Sequence, residues 1–540
     1  MRSQGLYLGR KARAGLRVLD DLGQWLDARP LLLWVLLAVT YWMLLIPVCW
    51  YRPLWHDELF TYNFGRMSSI GTMLRDIPRI DLNPPITYLL EYVSLHLAGP
   101  FATGRAATIT ARIPSLLAGF IASCGLFIYL RRKVGALLAV VGVVWLWQTP
   151  FWGMCNEDRP YALFIAFLVW LLIAWERASQ PGRSMISLIG AWMLAIGMMG
   201  THFMAALVLP AFWAAEAMRA FRAKKIDLPL TFAFVAPFII PVVYHSLIHG
   251  YDHMLFPPAF QANLHDLKLF FTKLPGSTSC LLVSMMVALL LSRASPPAAE
   301  SGTDREDVVA PSLWRFRPED VVLLGGILCE PFLSLLIFKL QHSAYFLRYA
   351  LPGTLPLVVF FTWLFAWRFR SHWKRIAATA FVIGYAFLFF ANYRSLLLLL
   401  LDHDRATVQA VDWRSIDPQL PFVVDSGLVF VEMNHRESPQ FLNRVYYLTD
   451  QNGAIQYADA TLFQHEDEVA EIFGFRAHVE KLNEFELQHE KFLVLGSYSY
   501  PENWLLRYLL AQGDELRFLG EFKNNYQAKE LYEVTLKPRS

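Results

Sequence analysis

The sequence predicts a polytopic α-helical membrane protein carrying a C-terminal soluble α/β domain. Three observations predict it. Of 540 residues, 55% are hydrophobic and 17% charged, where a globular domain carries about 25% charged residues. Long apolar runs recur as far as Leu401 and then stop. The charge divides at the same place: residues 1–401 balance to +13 and residues 402–540 to −10. A soluble protein of this size must cover a large surface with polar groups, and with a mean hydropathy of +0.35 this chain cannot. A soluble enzyme, a coiled coil and a disordered protein are excluded, and the bilayer is the solvent for residues 1–401.

About eleven spanning helices are expected from apolar runs of roughly 17–25 residues. They lie near 30–50, 107–130, 134–151, 160–175, 185–200, 203–219, 229–248, 275–292, 320–339, 351–367 and 376–398. Lys and Arg set the orientation. The first 29 residues, Arg131-Arg132-Lys133, Arg177 with Arg183, the stretch Arg219–Lys225, residues 293–318 and residues 368–375 are basic and fall on one side. That side is read as cytoplasmic. The N-terminus is then inside, the tail outside, and the protein sits in the cell (inner) membrane. The basic start runs into a full-length span with no small-residue cleavage site, so no cleaved signal peptide is expected. The five cysteines lie in or beside spans without a CxxC, which suggests neither a redox centre nor a zinc ribbon.

Two outer loops are too long for connectors. Residues 51–106 hold two helix-like pieces, Glu58–Leu74 and, after a Pro-Pro step, Asn83–Leu97. Ile86, Leu89, Leu90, Val93 and Leu97 recur at a helical period, so the second piece reads as an amphipathic surface helix. The loop at 249–274, with Tyr251-Asp252-His253 and Lys273, reads either as a lid or as a plain connector. Residues 294–318, rich in Ser, Pro, Ala and charge, read as a flexible linker. In the tail, Pro421–Asp425, Arg444–Leu448, Lys491–Gly496, Glu515–Gly520 and Glu530–Leu536 read as strands, and Asp467–Phe473 and Asn503–Gln512 as helices. No GxGxxG or P-loop follows any of these strands, so no nucleotide site is expected.

Asp57-Glu58 follows the first span directly, flanked by Trp50, Tyr51, Trp55 and His56. Adjacent carboxylates at a low-dielectric boundary have perturbed protonation, which suits a general base; the plain alternative is a helix N-cap. A second acidic pair stands in Asn156-Glu157-Asp158-Arg159-Pro160-Tyr161. Arg52, Arg66, Arg112, Arg159 and Arg348 lie on the outer side, against the charge bias, so each needs a partner. Structural pairing is one reading, and a forked phosphate contact the other. Glu330 sits mid-span in Cys329-Glu330-Pro331, where a charge costs roughly 2.5–3.5 kcal/mol on insertion scales; a broken helix is expected there, and a proton relay is one use for it. His202 and His342 sit at outer helix ends and read as helix-end or pocket-lining residues, since no HExxH-type spacing supports a metal.

Taken in order, these pieces resemble the GT-C superfamily of membrane glycosyltransferases, in the branch of the protein O-mannosyltransferases and lipid A aminoarabinose transferases. The resemblance rests on His56-Asp57-Glu58 after the first span, Asn83-Pro84-Pro85-Ile86-Thr87-Tyr88 in the first outer loop, Arg112-Ile113-Pro114, Arg159-Pro160-Tyr161-Ala162, Arg348-Tyr349 before Pro352, and an outer C-terminal domain. It covers about residues 30–400. It implies transfer of a hexosyl or pentosyl unit from a polyprenyl-phosphate donor to a hydroxyl on a lipid, glycan or protein, on the outer face, with inversion. By the same likeness Asp57 is the base, Glu58 and Asp158 shape the site, and Arg159 or Arg348 holds the donor phosphate. His56, Asn83, Tyr88, Arg112, Tyr161, His202 and Tyr349 are the remaining substrate-binding candidates. Family members place a Lys before the Pro-Pro step where this chain has Asn83, and Lys273 is the candidate substitute. Cationic side chains already make a polyprenyl phosphate a good leaving group, so no metal or other cofactor is called for. The expected partners are the lipid-linked donor, the acceptor and membrane lipids, with no nucleic acid. The competing classes are a transporter coupled through Glu330 and a non-catalytic scaffold. An outer cavity lined by Asp57, Asp158 and Arg348 favours the enzyme; a midplane site at Glu330 favours transport. For the tail, presenting acceptors, positioning at a cell wall and capping the cavity all remain open.

Overall fold

A computed structural model describes residues 18–101, 104–248, 254–270, 272, 316–368, 373–407, 413–521 and 530–538. Lys273, Tyr251-Asp252-His253 and the span expected at 275–292 lie outside the described residues.

The protein is a multi-pass membrane protein. Among the described residues, six apolar helical segments are long enough to cross a bilayer: Pro30–Tyr51 (α1), Gly104–Val134 (α5), Tyr161–Ala178 (α8), Pro318–Leu340, Leu347–Ala366 and Lys374–Leu401. Helix α1 shows what faces lipid. It buries Leu33, Leu37, Tyr41 and Leu45 but exposes Leu31, Trp34, Val35, Val39 and Met43. A continuous apolar face left bare is stable only against hydrocarbon. The segment expected at 134–151 is the 12-residue helix Ala136–Trp147 (α6), all of whose residues are buried. At about 1.5 Å per residue it is too short to span. It is apolar all round because protein surrounds it on every side. Met185–Met199 (α9) and Leu228–Tyr244 are also short and apolar. The break expected beside Pro331 is present: Pro318–Leu328 and Glu330–Leu340 meet at Cys329.

The loop that follows α1 forms three helices where two are expected. His56–Gly65 (α2) stops short of Ser69, whose hydroxyl accepts the Thr72 N–H and starts Ile70–Ile80 (α3). Such a cap satisfies an orphan donor and favours a fresh helix over continuation. Ile86–Ala98 (α4) follows the Pro-Pro step. It buries Thr87, Tyr88, Glu91 and Leu95 and exposes Leu90, Val93 and Leu97, an apolar face suited to the membrane surface.

The tail is α/β with a six-stranded sheet in the order β3-β2-β1-β4-β6-β5. Strands Phe422–Val424 (β1), Val445–Thr449 (β2), His478–Lys481 (β3) and Lys491–Gly496 (β4) are parallel, while Glu515–Glu521 (β5) and Glu530–Thr535 (β6) run antiparallel. Five of these strands match the sequence reading; β3 does not appear in it. Two faces of the sheet bury separate apolar clusters, one around Phe430 and Tyr447, the other around Phe485 and Trp504. The tail docks on the bundle end that carries α2–α4. Its helix Gly427–Arg436 packs on α2, and Phe473, closing Glu466–Phe473, sets its ring 5.6 Å from Phe60 and 5.1 Å from Phe64.

Candidate active site

Asp57 and Glu58 fall in the first turn of α2, and neither is the N-cap; Trp55 holds that position. Neighbours on a helix diverge by about 100°, so the two carboxylates serve different surroundings. Glu58 turns inward and is fully buried. Its Oε1 and Oε2 each accept a 2.7 Å bond from Arg112, and Oε1 also accepts the Asp158 N–H at 2.8 Å. Arg112 donates further to the carbonyls of Cys49, Arg52 and Pro53 at 3.1, 2.7 and 3.0 Å. This pair ties the end of α1, the start of α2 and the 156–160 loop into one unit. Burial pushes the Glu58 carboxyl up, but Arg112 beside it, aided by Arg52 and the Asp158 N–H, holds it below its ordinary range.

Asp57 turns to the other side. Its Oδ2 stands 2.9 Å from Arg348 Nη2 and 3.9 Å from Arg159 Nη2; its Oδ1 faces His56 Nε2 at 3.6 Å. Arg159 also donates to the Asp57 carbonyl at 3.0 Å. Burial raises the Asp57 carboxyl, and Arg159 and Arg348 overcome that, holding it at about 2. The expected perturbation is therefore present, but downward. Two guanidiniums share one carboxylate, and the Nε of each is buried with no hydrogen-bond partner among the described residues. Arg348 also lies over the rings of Trp55, Tyr161, Phe346 and Tyr349 at 4.4–5.9 Å.

The cluster opens on a cavity of about 510 Å³. Of the candidate residues, Asp57, Asn83, Arg159, Tyr161, His202 and Tyr349 line it, while Asp158 and Arg348 do not. Burial, then Arg159 and Arg348, lower His202 to about 3, so its ring is neutral, with Nδ1 accepting the Met204 N–H at 3.1 Å. Asn83 is fixed by bonds to Asp81 and by the Tyr244 hydroxyl on its carbonyl.

Several expected residues do not line the cavity. Glu58 and Arg112 lie behind it, locked to each other. Asp158 is fully buried and neither of its oxygens has a hydrogen-bond partner among the described residues. Burial and the nearby Glu58 raise it, as burial and Asp158 raise Glu91. Asp158 contributes its backbone N–H to Glu58. Tyr88 packs its ring 5.1 Å from Phe64. His56 is buried against the tail, and Arg348 stands just outside the lining, against Asp57, Tyr161 and Tyr349. Glu330 is buried and also outside the lining. Arg52 pairs with Glu157 at 2.8 Å.

The sequence reading missed a whole wall. Leu462, Phe463, His465, Glu466 and Glu468 of the tail line the cavity together with Arg79 of α3. Arg79 Nε donates to Glu468 at 2.7 Å across the seam. Leu255 and Thr461 exchange backbone and hydroxyl bonds beside it. No local signal in the sequence joins residues this far apart.

With this geometry in hand, solved structures can be compared. A crystal structure of ArnT from Cupriavidus metallidurans bound to undecaprenyl phosphate superposes with a TM-score of 0.52 at 13% identity, covering 93% of this chain and 97% of that one. The chain shares the ArnT fold. The apo crystal structure of the same protein gives the same values. The Pmt1-Pmt2 complex of S. cerevisiae, a protein O-mannosyltransferase bound to its sugar donor, matches at a TM-score of 0.33 and 15% identity over 43% of this chain and 36% of that one. No protein-family model and no curated protein matches the chain. The likeness read from the ordered motifs is a likeness of fold to ArnT over 93% of this chain.

Proposed function

We propose that this protein is a membrane glycosyltransferase that moves a sugar from a polyprenyl-phosphate donor to a hydroxyl acceptor, on the outer membrane face and with inversion. The observation that carries the reading is the Arg159–Asp57–Arg348 cluster: two buried guanidiniums with unused donors, one carboxylate, and a cavity beside them. An excess of buried cation next to a cavity calls for an anion. The shared fold of a protein that binds undecaprenyl phosphate supports a lipid-linked phosphate as that anion.

In this reading the donor phosphate takes hydrogen bonds from Arg159 and Arg348. Those bonds neutralise charge building on the leaving phosphate, and no metal is needed. The acceptor oxygen attacks the anomeric carbon from the face opposite the phosphate, and the carbon–phosphate oxygen bond breaks. Asp57 takes the hydroxyl proton. A carboxyl held at about 2 is a poor base near neutral pH. The phosphate competes with Asp57 for both guanidiniums, so binding the donor relieves the depression. Asp57 is then most basic when the donor is in place.

The test is release of polyprenyl phosphate in proteoliposomes from a panel of radiolabelled polyprenyl-phosphate sugars. Wild type is expected to turn over one donor, and Asp57→Asn to lose that turnover by at least about 100-fold. Equal turnover by the two proteins refutes Asp57 as base, and turnover of no donor with any hydroxyl acceptor refutes the transferase reading.

A further inference from the structure

The tail reaches past the cavity wall to the residue beside Asp57. Glu432, on the tail helix Gly427–Arg436, places Oε1 3.4 Å from His56 Nδ1 and accepts the His56 backbone N–H at 3.2 Å. The other ring nitrogen, Nε2, faces Asp57 Oδ1 at 3.6 Å. Glu432 is itself oriented: its Oε2 pairs with Arg436 at 3.0 Å, and Arg436 donates to the Leu54 carbonyl at 2.6 Å. His56 and Glu432 are both buried, and the Trp55 ring meets the imidazole edge-on at 4.6 Å. A carboxylate on Nδ1 keeps the proton there and leaves Nε2 as an acceptor aimed at Asp57.

We propose that Glu432 and His56 form a proton-accepting pair behind Asp57, so that the tail completes the transfer site. The proposal rests on the transferase reading. The acceptor O–H bond breaks as its oxygen bonds to the anomeric carbon, and the proton goes to the Asp57 carboxylate. Rotation of that carboxyl delivers the proton to His56 Nε2, and Glu432 stabilises the imidazolium. No other co-reactant is needed. The two oxygens of Asp57 divide the work: Oδ2 faces the guanidiniums and Oδ1 the imidazole. The relay explains how a carboxylate flanked by two guanidiniums can serve, since it passes the proton on rather than keeping it. The charged and titratable groups around His56 are Asp57 from its own helix, Glu432 and Arg436 from the tail, and Arg159 and Arg348 beyond Asp57. Tyr500, on the tail loop, lies within electrostatic reach of both Glu432 and Asp57.

The test is the kcat and donor KM of the full-length protein with its donor, comparing wild type, Glu432→Gln, Asp57→Asn and His435→Ala. His435 is on the same tail helix and packs on the Tyr62 ring at 5.2 Å, so its loss perturbs docking without touching the relay. Glu432→Gln is expected to lower kcat about tenfold with the donor KM unchanged, while His435→Ala keeps its kcat. Independently of turnover, the His56 ring ¹⁵N shifts are those of the Nδ1–H tautomer in wild type and lose that preference in Glu432→Gln. An unchanged kcat, matching behaviour of Glu432→Gln and His435→Ala, or an unchanged tautomer overturns the relay. Full activity of Asp57→Asn overturns Asp57 as the base on which the relay stands, and no turnover of any donor by wild type overturns the transferase reading beneath it.

Discussion

Replacing Arg112 with methionine removes five N–H bonds at once. Two go to Glu58, and three to the carbonyls of Cys49, Arg52 and Pro53. Both side chains of the ion pair are 0% exposed, so the charge left on Glu58 has no water to turn to. Removing one partner of a buried pair costs about 3–5 kcal/mol. Arg112→Met and Glu58→Gln should each therefore lose stability on that scale. The assay is a double-mutant cycle on detergent-purified protein, followed by unfolding under denaturant. Once one partner is gone, the second substitution has little left to break, so the double variant should cost far less than the two singles together, with a coupling of at least about 2 kcal/mol. Arg112→Lys should recover only part of the loss, because three donors on a point charge cannot reproduce a five-donor fork. Singles that add to within about 0.5 kcal/mol refute the view that Glu58 is held for structure by Arg112.

Two other predictions concern packing and pH. A Cβ built on Gly119 of α5 stands 2.4 Å from both Cys155 Sγ and the Tyr41 hydroxyl, so Gly119→Ala should lower stability by about 1–3 kcal/mol in the same unfolding assay. Glu466, buried in the cavity's tail wall, is raised by burial and by Asp467 and Glu502 to about 8. A carboxyl raised on folding contributes stability that is full below about pH 4.5 and is lost as pH climbs through 8; Glu466→Gln should match wild type at pH 4 and be the more stable at pH 8, read as hydrogen-exchange protection of Glu466–Phe473.

Much of the fold was legible because apolar length and basic loops are direct consequences of the bilayer. The cavity was legible where a residue belonged to an ordered motif, as with Asp57, Asn83, Arg159, Tyr161 and Tyr349, and at His202 from its place at a helix end. What escaped follows from two physical causes. Short elements carry little periodicity: β3 has only four residues, each at least partly exposed, and the run Val429-Phe430-Val431 in the tail helix fits a strand as well as a helix. Long-range docking leaves no local trace, so Glu432 could not be joined to His56, nor Glu468 to Arg79. Burial sets Glu58, Asp158 and Arg112 behind the cavity, and of the two readings open for Arg112 the structure shows the pairing.

The division of labour between Asp57 and Glu58 follows from helix geometry and from what each carboxylate meets. A buried carboxylate serves chemistry only if its counter-ions can be drawn away. Glu58 cannot be released: its partner spends its remaining donors on three backbone carbonyls, and the Asp158 N–H adds another anchor, so moving it would dismantle the end of the first span. Asp57 is held by two side chains that each keep an unused Nε, and it lines the cavity itself. Its second oxygen already faces a histidine oriented by the tail. Exchanging the two positions, Asp57→Glu with Glu58→Asp, therefore tests more than charge. It conserves both carboxylates while shortening the one that reaches Arg112 and lengthening the one that faces the cavity, so a fold built on the Glu58 lock loses stability even though no charge has changed.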